Sequence, residues 1–292
     1  MSLKAWLMAT RPKTLTAAAV PVAVGTACAA RTGHFEPLTA LAALFGALFI
    51  QVGTNLTNDY YDFVKGADNE KRLGPSRVTA MGLIKPRVVL GAALFSFALA
   101  VLCGVHLIAV GGWPIVIVGV CSLACGYLYT GGPYPLAYHG LGDPFVFVFF
   151  GPVAVVGTYW VQAGSVDVLP VLASVPVGLL ASALLVVNNL RDIPTDTVAG
   201  KRTLAVKLGE RFTRAQYAGL LVVSFAWPVL LAVAARTPAA LVMWLALPLA
   251  FGPWKTVMGS NGVALNGALA QTARLHAVTG VLLAVALWRS WA

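Results

Sequence analysis

Charge is scarce in this sequence. Asp, Glu, Lys and Arg make up only 10% of its 292 residues, while hydrophobic residues make up 59% and the mean hydropathy is +0.83. Soluble domains contain about 25% charged and 45–50% apolar residues. A globule of this size has too little interior to bury so much apolar surface. The composition therefore excludes an ordinary soluble domain and predicts a membrane protein.

Cysteine and histidine are also rare, and the apolar stretches lack the alternation of a β-barrel. The four cysteines lie within or at the ends of apolar stretches without a His or Cys cluster, so a zinc-type site is not expected. Continuous apolar stretches favour helices over a barrel. Residues 1–16 lack the short apolar core and cleavage site of a secretory signal peptide.

Apolar stretches of about 20 residues recur along the whole chain, and each is long enough to cross roughly 30 Å of hydrocarbon. They predict an all-α integral membrane protein, a single bundle of about nine transmembrane helices. The predicted spans are residues 14–31, 38–59, 87–108, 113–130, 144–163, 168–188, 214–234, 238–257 and 270–290. We expect residues 1–292 to form one transmembrane domain.

Basic residues concentrate on one side of this arrangement. With the N-terminus inside, only Arg31, Arg236 and Arg289 are outside, and the other 17 of the 20 Lys and Arg residues are inside. Positively charged loops stay in the cytoplasm. The distribution supports the span count and orientation, and it accounts for the net charge of +10 without a nucleic-acid partner.

Acidic residues follow the same asymmetry, since only Glu36 and Asp167 of the ten are placed outside. A first inner cluster ends the second span, and Lys65 and Asp68 follow it. Four of its polar residues have helical offsets of four, three and four and share one face: Gln51, Asn55, Asn58 and Asp62. Such residues are costly in lipid and face a bundle interior or a cavity.

A second inner cluster ends the sixth span. Asn188, Asp192 and Asp196 recur every four residues beside Arg191, although Pro194 is expected to kink the helix or begin a new one.

The two clusters resemble each other. Asn58-x-x-x-Asp62 matches Asn188-x-x-x-Asp192, and each is followed by a basic loop. The basic residues of these loops are Arg77 after the first cluster, and Lys201 and Arg202 after the second. The match suggests an ancient duplication.

Carboxylates and cations on one membrane face suit a lipid diphosphate. Mg²⁺ prefers one or two protein carboxylates together with phosphate oxygens, and Lys and Arg bind the same phosphates. Metal ions stabilise a leaving diphosphate, and aromatic faces stabilise the allylic cation that remains. The tyrosines near the inner face are Tyr60, Tyr61, Tyr127, Tyr129, Tyr134 and Tyr138. An isoprenyl diphosphate, with its tail in lipid, is the predicted ligand.

Taken together, these motifs resemble the UbiA superfamily of intramembrane prenyltransferases, whose two Asp-rich motifs lie on the second and sixth helices of a nine-helix bundle. Within the superfamily the sequence is similar to the MenA branch. The matching stretches are residues 11–15, 55–62, 65–68, 74–77, 129–133, 140–143, 188–192 and 200–204.

The resemblance implies transfer of a polyprenyl group from polyprenyl diphosphate to 1,4-dihydroxy-2-naphthoate with loss of CO₂, which gives a demethylmenaquinol. It implies Mg²⁺, surrounding membrane lipid, and a bacterial plasma membrane with the N-terminus and the site on the cytoplasmic side. The residues carried over to the Mg²⁺–diphosphate site are Asn58, Asp62, Asp68, Asn188, Asp192 and Asp196. Candidates for contacts with the substrate phosphates are Lys65, Arg77, Lys201 and Arg202, and Asn55 is a further candidate for substrate binding.

The sequence departs from the superfamily pattern at one position. The usual first motif, Asn-x-x-x-Asp-x-x-x-Asp, would place Gly66 at its last position, and Asp68 comes two residues later. MenA-like members share this longer spacing, so the departure argues against the 4-hydroxybenzoate branch.

The acceptor requires a cation for its carboxylate, and Arg11, Lys13 and Arg191 remain alternatives. Asp143 and His139, in a predicted loop over residues 131–143, are candidates to orient or deprotonate a ring hydroxyl.

The cavity is expected to be capped and to open towards lipid. Inner loops over residues 60–86 and 189–213 are predicted to form the cap. The phenylalanines expected beside the lateral opening are Phe145, Phe147, Phe149 and Phe150.

Two alternatives stay open. A transporter would carry polar residues on broken helices near the membrane midplane, whereas these acids lie at the inner interface and both motifs face the same side. Another UbiA-type transferase would use homogentisate, a chlorophyll precursor or haem as acceptor. No oligomeric state follows from the sequence.

Overall fold

The computed structural model describes residues 2–68 and 72–288. Glu70, Lys71 and Arg289, which entered the sorting of charges by side, lie outside the described residues.

All regular secondary structure in the described residues is helical, as predicted. The α-helices are α1 (Leu3–Thr10), α2 (Pro12–Arg31), α3 (Pro37–Val64), α4 (Pro86–Gly111), α5 (Trp113–Leu128), α6 (Gly142–Val148), α7 (Ala154–Ala163), α8 (Val168–Val198), α9 (Leu204–Ala234), α10 (Leu247–Gly259) and α11 (Leu265–Trp288). Short 3₁₀ helices cover Leu136–His139, Pro238–Ala246 and Gly262–Ala264, and a π-helical turn, Phe149–Val153, joins α6 to α7.

Eight helical segments within the described ranges are long and apolar enough to cross a membrane. A further apolar helix, α5, has only 16 residues and occupies the position of the fourth predicted span. The chain is therefore an integral, multi-pass membrane protein. Its described residues contain eight helical segments of full spanning length and one shorter apolar helix, which confirms the predicted architecture of about nine helices.

Capping side chains and prolines mark the first turns of several of these helices. Glu36 caps α3 by accepting hydrogen bonds from the backbone N–H groups of Leu38 and Thr39, and Asp167 caps α8 through the N–H of Leu169 at 3.3 Å. Proline occupies the first turn of α2, α3 and α4, where its missing N–H costs no helical bond.

Two helices extend well beyond their predicted spans. α3 continues to Val64 and α8 to Val198, so the predicted loops 60–86 and 189–213 are too long. The loops that remain are residues 65–85 and 199–203. Pro194 lies inside a continuous α8 and starts no new helix. The polar residues that follow each apolar span still belong to the same helix. A hydropathy window detects only the end of the apolar span and not the end of the helix.

Small residues bring the central helices close together. The Cα of Gly178 lies 2.9 Å from the ideal Cβ position of Gly151, so only glycine permits this approach of the π-helical turn to α8. Val20 of α2 packs against Gly280 of α11 in the same manner. This tight core lies on one side of the bundle and leaves an open space on the other, between α2, α3, α4, α5, α6 and α8.

Candidate active site

The open space between the helices is a cavity of about 780 Å³. Its walls are mainly apolar or small side chains from α2 to α8, and charged side chains gather around one end. Phe145, Phe149 and Phe150 line it beside the π-helical turn, whereas Phe147 does not. The shape suits a molecule with one charged end and a long apolar remainder.

One face of α3 forms the polar wall of this cavity. Because α3 is continuous, the four residues of the predicted stripe point to the same side and all line the cavity: Gln51, Asn55, Asn58 and Asp62. Asp62 is buried, accepts a hydrogen bond from the Tyr138 hydroxyl at 3.0 Å, and lies 3.6 Å from Nη2 of Arg77.

The loop after α3 brings cations onto these carboxylates. Arg77 Nε lies 3.1 Å from Oδ2 of the buried Asp68, and Arg72 pairs with Oδ1 of the same carboxylate. Nη1 of Arg77 is buried and has no hydrogen-bond partner among the described residues. Since Arg77 lines the cavity, it has a free donor to offer an anionic ligand.

Asp59 fixes the position of Arg77. Its side-chain oxygens accept hydrogen bonds from the backbone N–H groups of Val78 and Thr79, both at 3.3 Å, and from the Thr79 hydroxyl. These bonds attach the residues after Arg77 to the end of α3. Asp59 lies between Asn58 and Asp62 of the first acidic cluster in sequence, but the contacts of its carboxylate stabilise the backbone after Arg77.

The second cluster is organised differently. Buried Arg191 holds its neighbour Asp192 with Nε and Nη2, at 2.7 and 2.6 Å, and also contacts Asn188 Oδ1 at 2.7 Å and Asn266 Oδ1 at 2.8 Å. Asn266 donates onward to the Leu73 carbonyl at 2.9 Å. This network ties α8 to α11 and to the loop after α3. Of its side chains, Asn188 and Asn266 line the cavity, whereas Arg191 and Asp192 do not.

Asp196 and Lys201 lie one turn beyond this network. Lys201 Nζ is 3.7 Å from Oδ1 of Asp196, and Oδ2 of Asp196 is buried without a partner in the described residues. Burial alone would lower the pKa of Lys201, but Asp62, Asp196 and Asp192 together raise it above its ordinary value. Lys201 therefore stays charged and lines the cavity.

Lys65 and Tyr138 link the two clusters. Lys65 Nζ donates to the Thr130 carbonyl at 2.7 Å and lies 4.6 Å from the centre of the Tyr138 ring, with Lys201 Nζ at 5.6 Å from the same ring. Burial lowers the pKa of Lys65 although Asp62 opposes the shift. Burial and the charge of Asp62 raise the pKa of Tyr138, so its hydroxyl stays protonated and donates.

Two of the three proposed acceptor cations reach the cavity. Arg11 and Lys13 line it, and Arg11 Nη2 donates to the Asn55 carbonyl at 3.2 Å. Arg11 has a left-handed backbone with φ of 51° between α1 and α2. Burial and repulsion from Arg72 lower its pKa to about 10, which leaves it charged at neutral pH. Arg191 is engaged by the network described above.

Asp143 lies in the first turn of α6, where a loop was predicted. It lines the cavity, accepts a hydrogen bond from Gln216 Nε2 at 2.9 Å, and keeps a buried Oδ2 without a partner in the described part of the chain. Tyr129 also lines the cavity, and burial together with the charge of Asp143 raises the pKa of its hydroxyl.

Five predicted substrate-binding residues are not part of the cavity lining: Lys65, Tyr134, His139, Arg191 and Arg202. The contacts of Lys65 and Arg191 are given above. His139 stacks on the exposed ring of Tyr134, with 3.6 Å between centroids, and its Nδ1 donates to the Pro135 carbonyl at 2.9 Å. The Arg202 side chain is exposed, and its backbone N–H donates to the Tyr138 carbonyl.

Sequence reasoning missed three residues that complete the site. Arg72 is four residues from Asp68, a spacing typical of ion pairs in helices, but it lies in a loop. Asn266 and Gln216 contact Arg191 and Asp143 across 75 and 73 residues of chain. No local pattern connects such distant positions.

The donor set suits a hard cation. Carboxylate and amide oxygens line both helix ends, and Asp196 Oδ2 is free to take a further partner. No group of three or more acidic, His or Cys residues converges within the described ranges. Mg²⁺ typically needs only one or two carboxylates when substrate phosphates complete its shell, so these residues fit an ion held jointly by protein and diphosphate.

Fold and site together define a polytopic membrane protein with a lipid-sized cavity and an anion-binding polar end. The model of the UbiA prenyltransferase family matches residues 18–262. The chain belongs to this family.

Curated relatives extend the match over most of the chain. A 1,4-dihydroxy-2-naphthoate octaprenyltransferase of Bacillus subtilis is 36% identical over 97% of this chain and 91% of its own length. The protein of that name from Mycobacterium tuberculosis is 43% identical over 89% of each chain.

Solved structures share the fold at low sequence identity. A UbiA homologue from Archaeoglobus fulgidus bound to GPP and Mg²⁺ has a TM-score of 0.63 at 14% identity, with 96% of this chain and 99% of that chain covered. The apo UbiA homologue from Aeropyrum pernix has a TM-score of 0.67 at 16% identity, with 93% and 96% covered.

Proposed function

We propose that this protein transfers a polyprenyl group from polyprenyl diphosphate to 1,4-dihydroxy-2-naphthoate, with Mg²⁺ and with loss of CO₂. The product is a demethylmenaquinol, a precursor of menaquinone. The observation that carries the proposal is the roughly 780 Å³ apolar cavity with Asp62, Arg77 and Lys201 at its charged end. The names of the curated relatives support the choice of acceptor.

The charged end is suited to the diphosphate. Arg77 contributes the free donor of its guanidinium, and Lys201 and Lys65 contribute ammonium groups above the Tyr138 ring. Asn58, Asp62 and Asp68 on one side, and Asn188, Asp192 and Asp196 on the other, supply oxygens for Mg²⁺. When bound, Mg²⁺ would neutralise charge on the leaving diphosphate.

The prenyl tail is placed along the apolar wall, where Phe145, Phe149 and Phe150 line the cavity. Val101, Val116 and Val120 of α4 and α5 line the cavity and are also exposed on the lipid side. A chain longer than the cavity leaves between these helices into lipid.

The acceptor is placed near Arg11, Lys13 and Asp143. A carboxylate on the acceptor meets the two cations, since arginine and lysine bind such groups by charge-assisted hydrogen bonds. Asp143 Oδ2 has no other partner among the described residues and takes the proton of a ring hydroxyl, while Gln216 holds Oδ1. Removal of this proton raises the electron density on the ring carbon that carries the carboxylate.

The reaction then balances within the cavity. The bond between prenyl C1 and oxygen breaks, and its electron pair leaves with the diphosphate onto Arg77 and Lys201. The ring carbon bonds to C1, and the bond to its carboxylate breaks to release CO₂. The electron pair of that bond returns to the ring and restores its aromaticity, and Asp143 gives the proton back to the ring oxygen, which yields the quinol. Apolar walls keep water from the allylic cation, and the Tyr129 ring, which lines the cavity, offers it a π face.

We propose a bacterial plasma membrane as the location, with the N-terminus and the charged end of the cavity on the cytoplasmic side. The distribution of Lys and Arg supports this orientation. The whole chain would act as one domain.

Prenyl transfer by the purified protein tests the proposal. The assay supplies farnesyl diphosphate, Mg²⁺ and one acceptor at a time: 1,4-dihydroxy-2-naphthoate, 4-hydroxybenzoate or homogentisate. We expect a prenylated, decarboxylated product only from the naphthoate, and none with EDTA. Product from another acceptor alone would overturn the naphthoate assignment. No product from any acceptor, together with substrate flux in liposomes, would favour a transporter.

A further inference from the structure

A second cavity lies at the end of the bundle opposite the acidic clusters. Its volume is about 490 Å³, and it lies between the end of α2, the turn after α9 and the C-terminal half of α11. Arg31 and Arg236 contribute charge, and Val242, Leu282 and Val285 contribute apolar surface. The proposed prenyl transfer makes no use of this cavity.

Both arginines lack a protein counterion. No carboxylate in the described part of the chain lies within ion-pair distance of Arg31 or Arg236. Glu36 and Asp167, the two acidic residues at this end, are used as N-caps of α3 and α8. Within the described residues, two positive charges therefore lie beside one cavity without an anionic partner.

The backbone holds Arg236 in an unfavourable conformation. Its φ of 49° lies in the left-handed region, and among non-glycine residues of the described ranges only Arg11 shares this feature. The turn is fixed by the Thr237 N–H to Leu231 at 3.2 Å and by the Thr237 hydroxyl to Ala235 at 2.9 Å. Such conformations persist where surrounding contacts enforce them and often mark binding sites. Here the strained residue lines the cavity.

Nearby aromatic residues indicate the depth of this cavity in the membrane. Phe35 and Trp288 form an edge-to-face pair with 4.7 Å between centroids, and both are partly exposed. Trp concentrates where headgroups meet hydrocarbon. Leu282 and Val285 precede Trp288 by one to two turns of α11, towards the hydrocarbon.

We propose that this cavity binds an anionic phospholipid, with its headgroup phosphate between Arg31 and Arg236 and an acyl chain along α11. Guanidinium groups bind phosphate by paired, charge-assisted hydrogen bonds. The apolar surface of Val242, Leu282 and Val285 favours a lipid over free phosphate, because only a lipid has both a phosphate for the arginines and an acyl chain for this surface.

Native mass spectrometry of the detergent-purified protein tests this inference. Binding of phosphatidylglycerol is compared with that of phosphatidylcholine with the same acyl chains, and inorganic phosphate is added as a competitor in a separate arm. The wild type is expected to prefer phosphatidylglycerol by about tenfold. Inorganic phosphate is expected not to displace it.

Two variants separate charge from shape. Arg31→Gln with Arg236→Gln removes both charges, and Ala239→Phe fills the cavity while keeping them. Both are expected to lose the preference and to retain prenyl transfer in detergent, which also shows that they fold. The inference is overturned if the wild type shows no preference, if the preference survives in the folded variants, or if free phosphate removes the bound lipid.

Discussion

The two acidic helix ends share a sequence pattern but differ in what their carboxylates contact. At the end of α3, Asp62 lines the cavity and is held by Tyr138 and Arg77, which come from loops. At the end of α8, Asp192 is held by its own neighbour Arg191 and lies outside the cavity lining. The first end therefore presents its groups directly to the cavity, while the second end also connects helices through Arg191 and Asp192.

This contrast shows that a repeated motif need not have a repeated role. Asn58 and Asn188 match in sequence, yet Asn58 accepts from Thr130 while Asn188 accepts from Arg191. At the second end Asp196 keeps a buried Oδ2 without a partner in the described residues, although Asp196, like Asp192, is not part of the cavity lining.

Removing Arg191 tests the bracing role of the second end. Arg191→Met should lower the free energy of unfolding by about 3–5 kcal/mol, because Asp192 would remain buried without its partner. The thermal midpoint in detergent should fall by about 10 °C. Arg191→Met with Asp192→Leu should recover part of this loss. An unchanged midpoint with a raised KM for the acceptor would instead make Arg191 an acceptor-binding residue.

Removing Asp62 tests the first end. Asp62→Ala should reduce kcat/KM for prenyl transfer at least about 100-fold, the scale expected when a group that stabilises transition-state charge is lost. Initial rates at matched protein concentration measure it. Glu210→Ala is the control, since Glu210 is an exposed carboxylate whose ion pair, among the described residues, is with Arg214. Equal losses in the two variants would contradict a local role for Asp62.

Replacing Arg77 conservatively gives a smaller effect. Arg77→Lys keeps the charge but cannot span Asp62 and Asp68 while offering a third donor, so KM for the prenyl diphosphate should rise about 10- to 50-fold. The matched control is Arg87→Lys, an exposed arginine that follows the same loop. An unchanged KM in the Arg77 variant would show that charge alone suffices there.

The two lysines should differ in their response to pH. Because the pKa of Lys65 is lowered and that of Lys201 is raised, Lys65 loses its charge first as pH rises. KM for the diphosphate should increase a few-fold on the alkaline side, and Lys65→Arg should abolish the increase. Lys201→Arg should leave it in place; the reverse pattern would contradict the assignment of the two lysines.

Most of the fold is predictable from the sequence because apolar length alone defines a membrane helix. The predicted spans correspond to the observed helices, and the helical spacing from Gln51 to Asp62 correctly predicts one polar face lining a cavity. The extension of α8 past Pro194 is not predictable in this way, since a proline signals a break unless neighbouring helices support it.

The site is only partly predictable for a different reason. Asp62, Asp68 and Arg77 are close in sequence, and their pairing follows from the end of one helix. Arg191 donates a hydrogen bond to Asn266, and Asp143 accepts one from Gln216. Both partners are distant in sequence and come close only through tertiary packing. Arg202 lies in a matching family motif and His139 in the predicted loop over residues 131–143, but the Arg202 side chain is exposed and His139 stacks on Tyr134.

We propose that one diphosphate is bound between the ends of α3 and α8, with a metal ion that both ends help to hold. Isothermal titration calorimetry with geranylgeranyl diphosphate measures this directly in the presence of Mg²⁺ or EDTA. We expect binding by the wild type with Mg²⁺ only, and at least tenfold weaker binding by both Asp62→Ala and Asp196→Ala. Wild-type affinity in either folded variant, or unchanged affinity in EDTA, would contradict it.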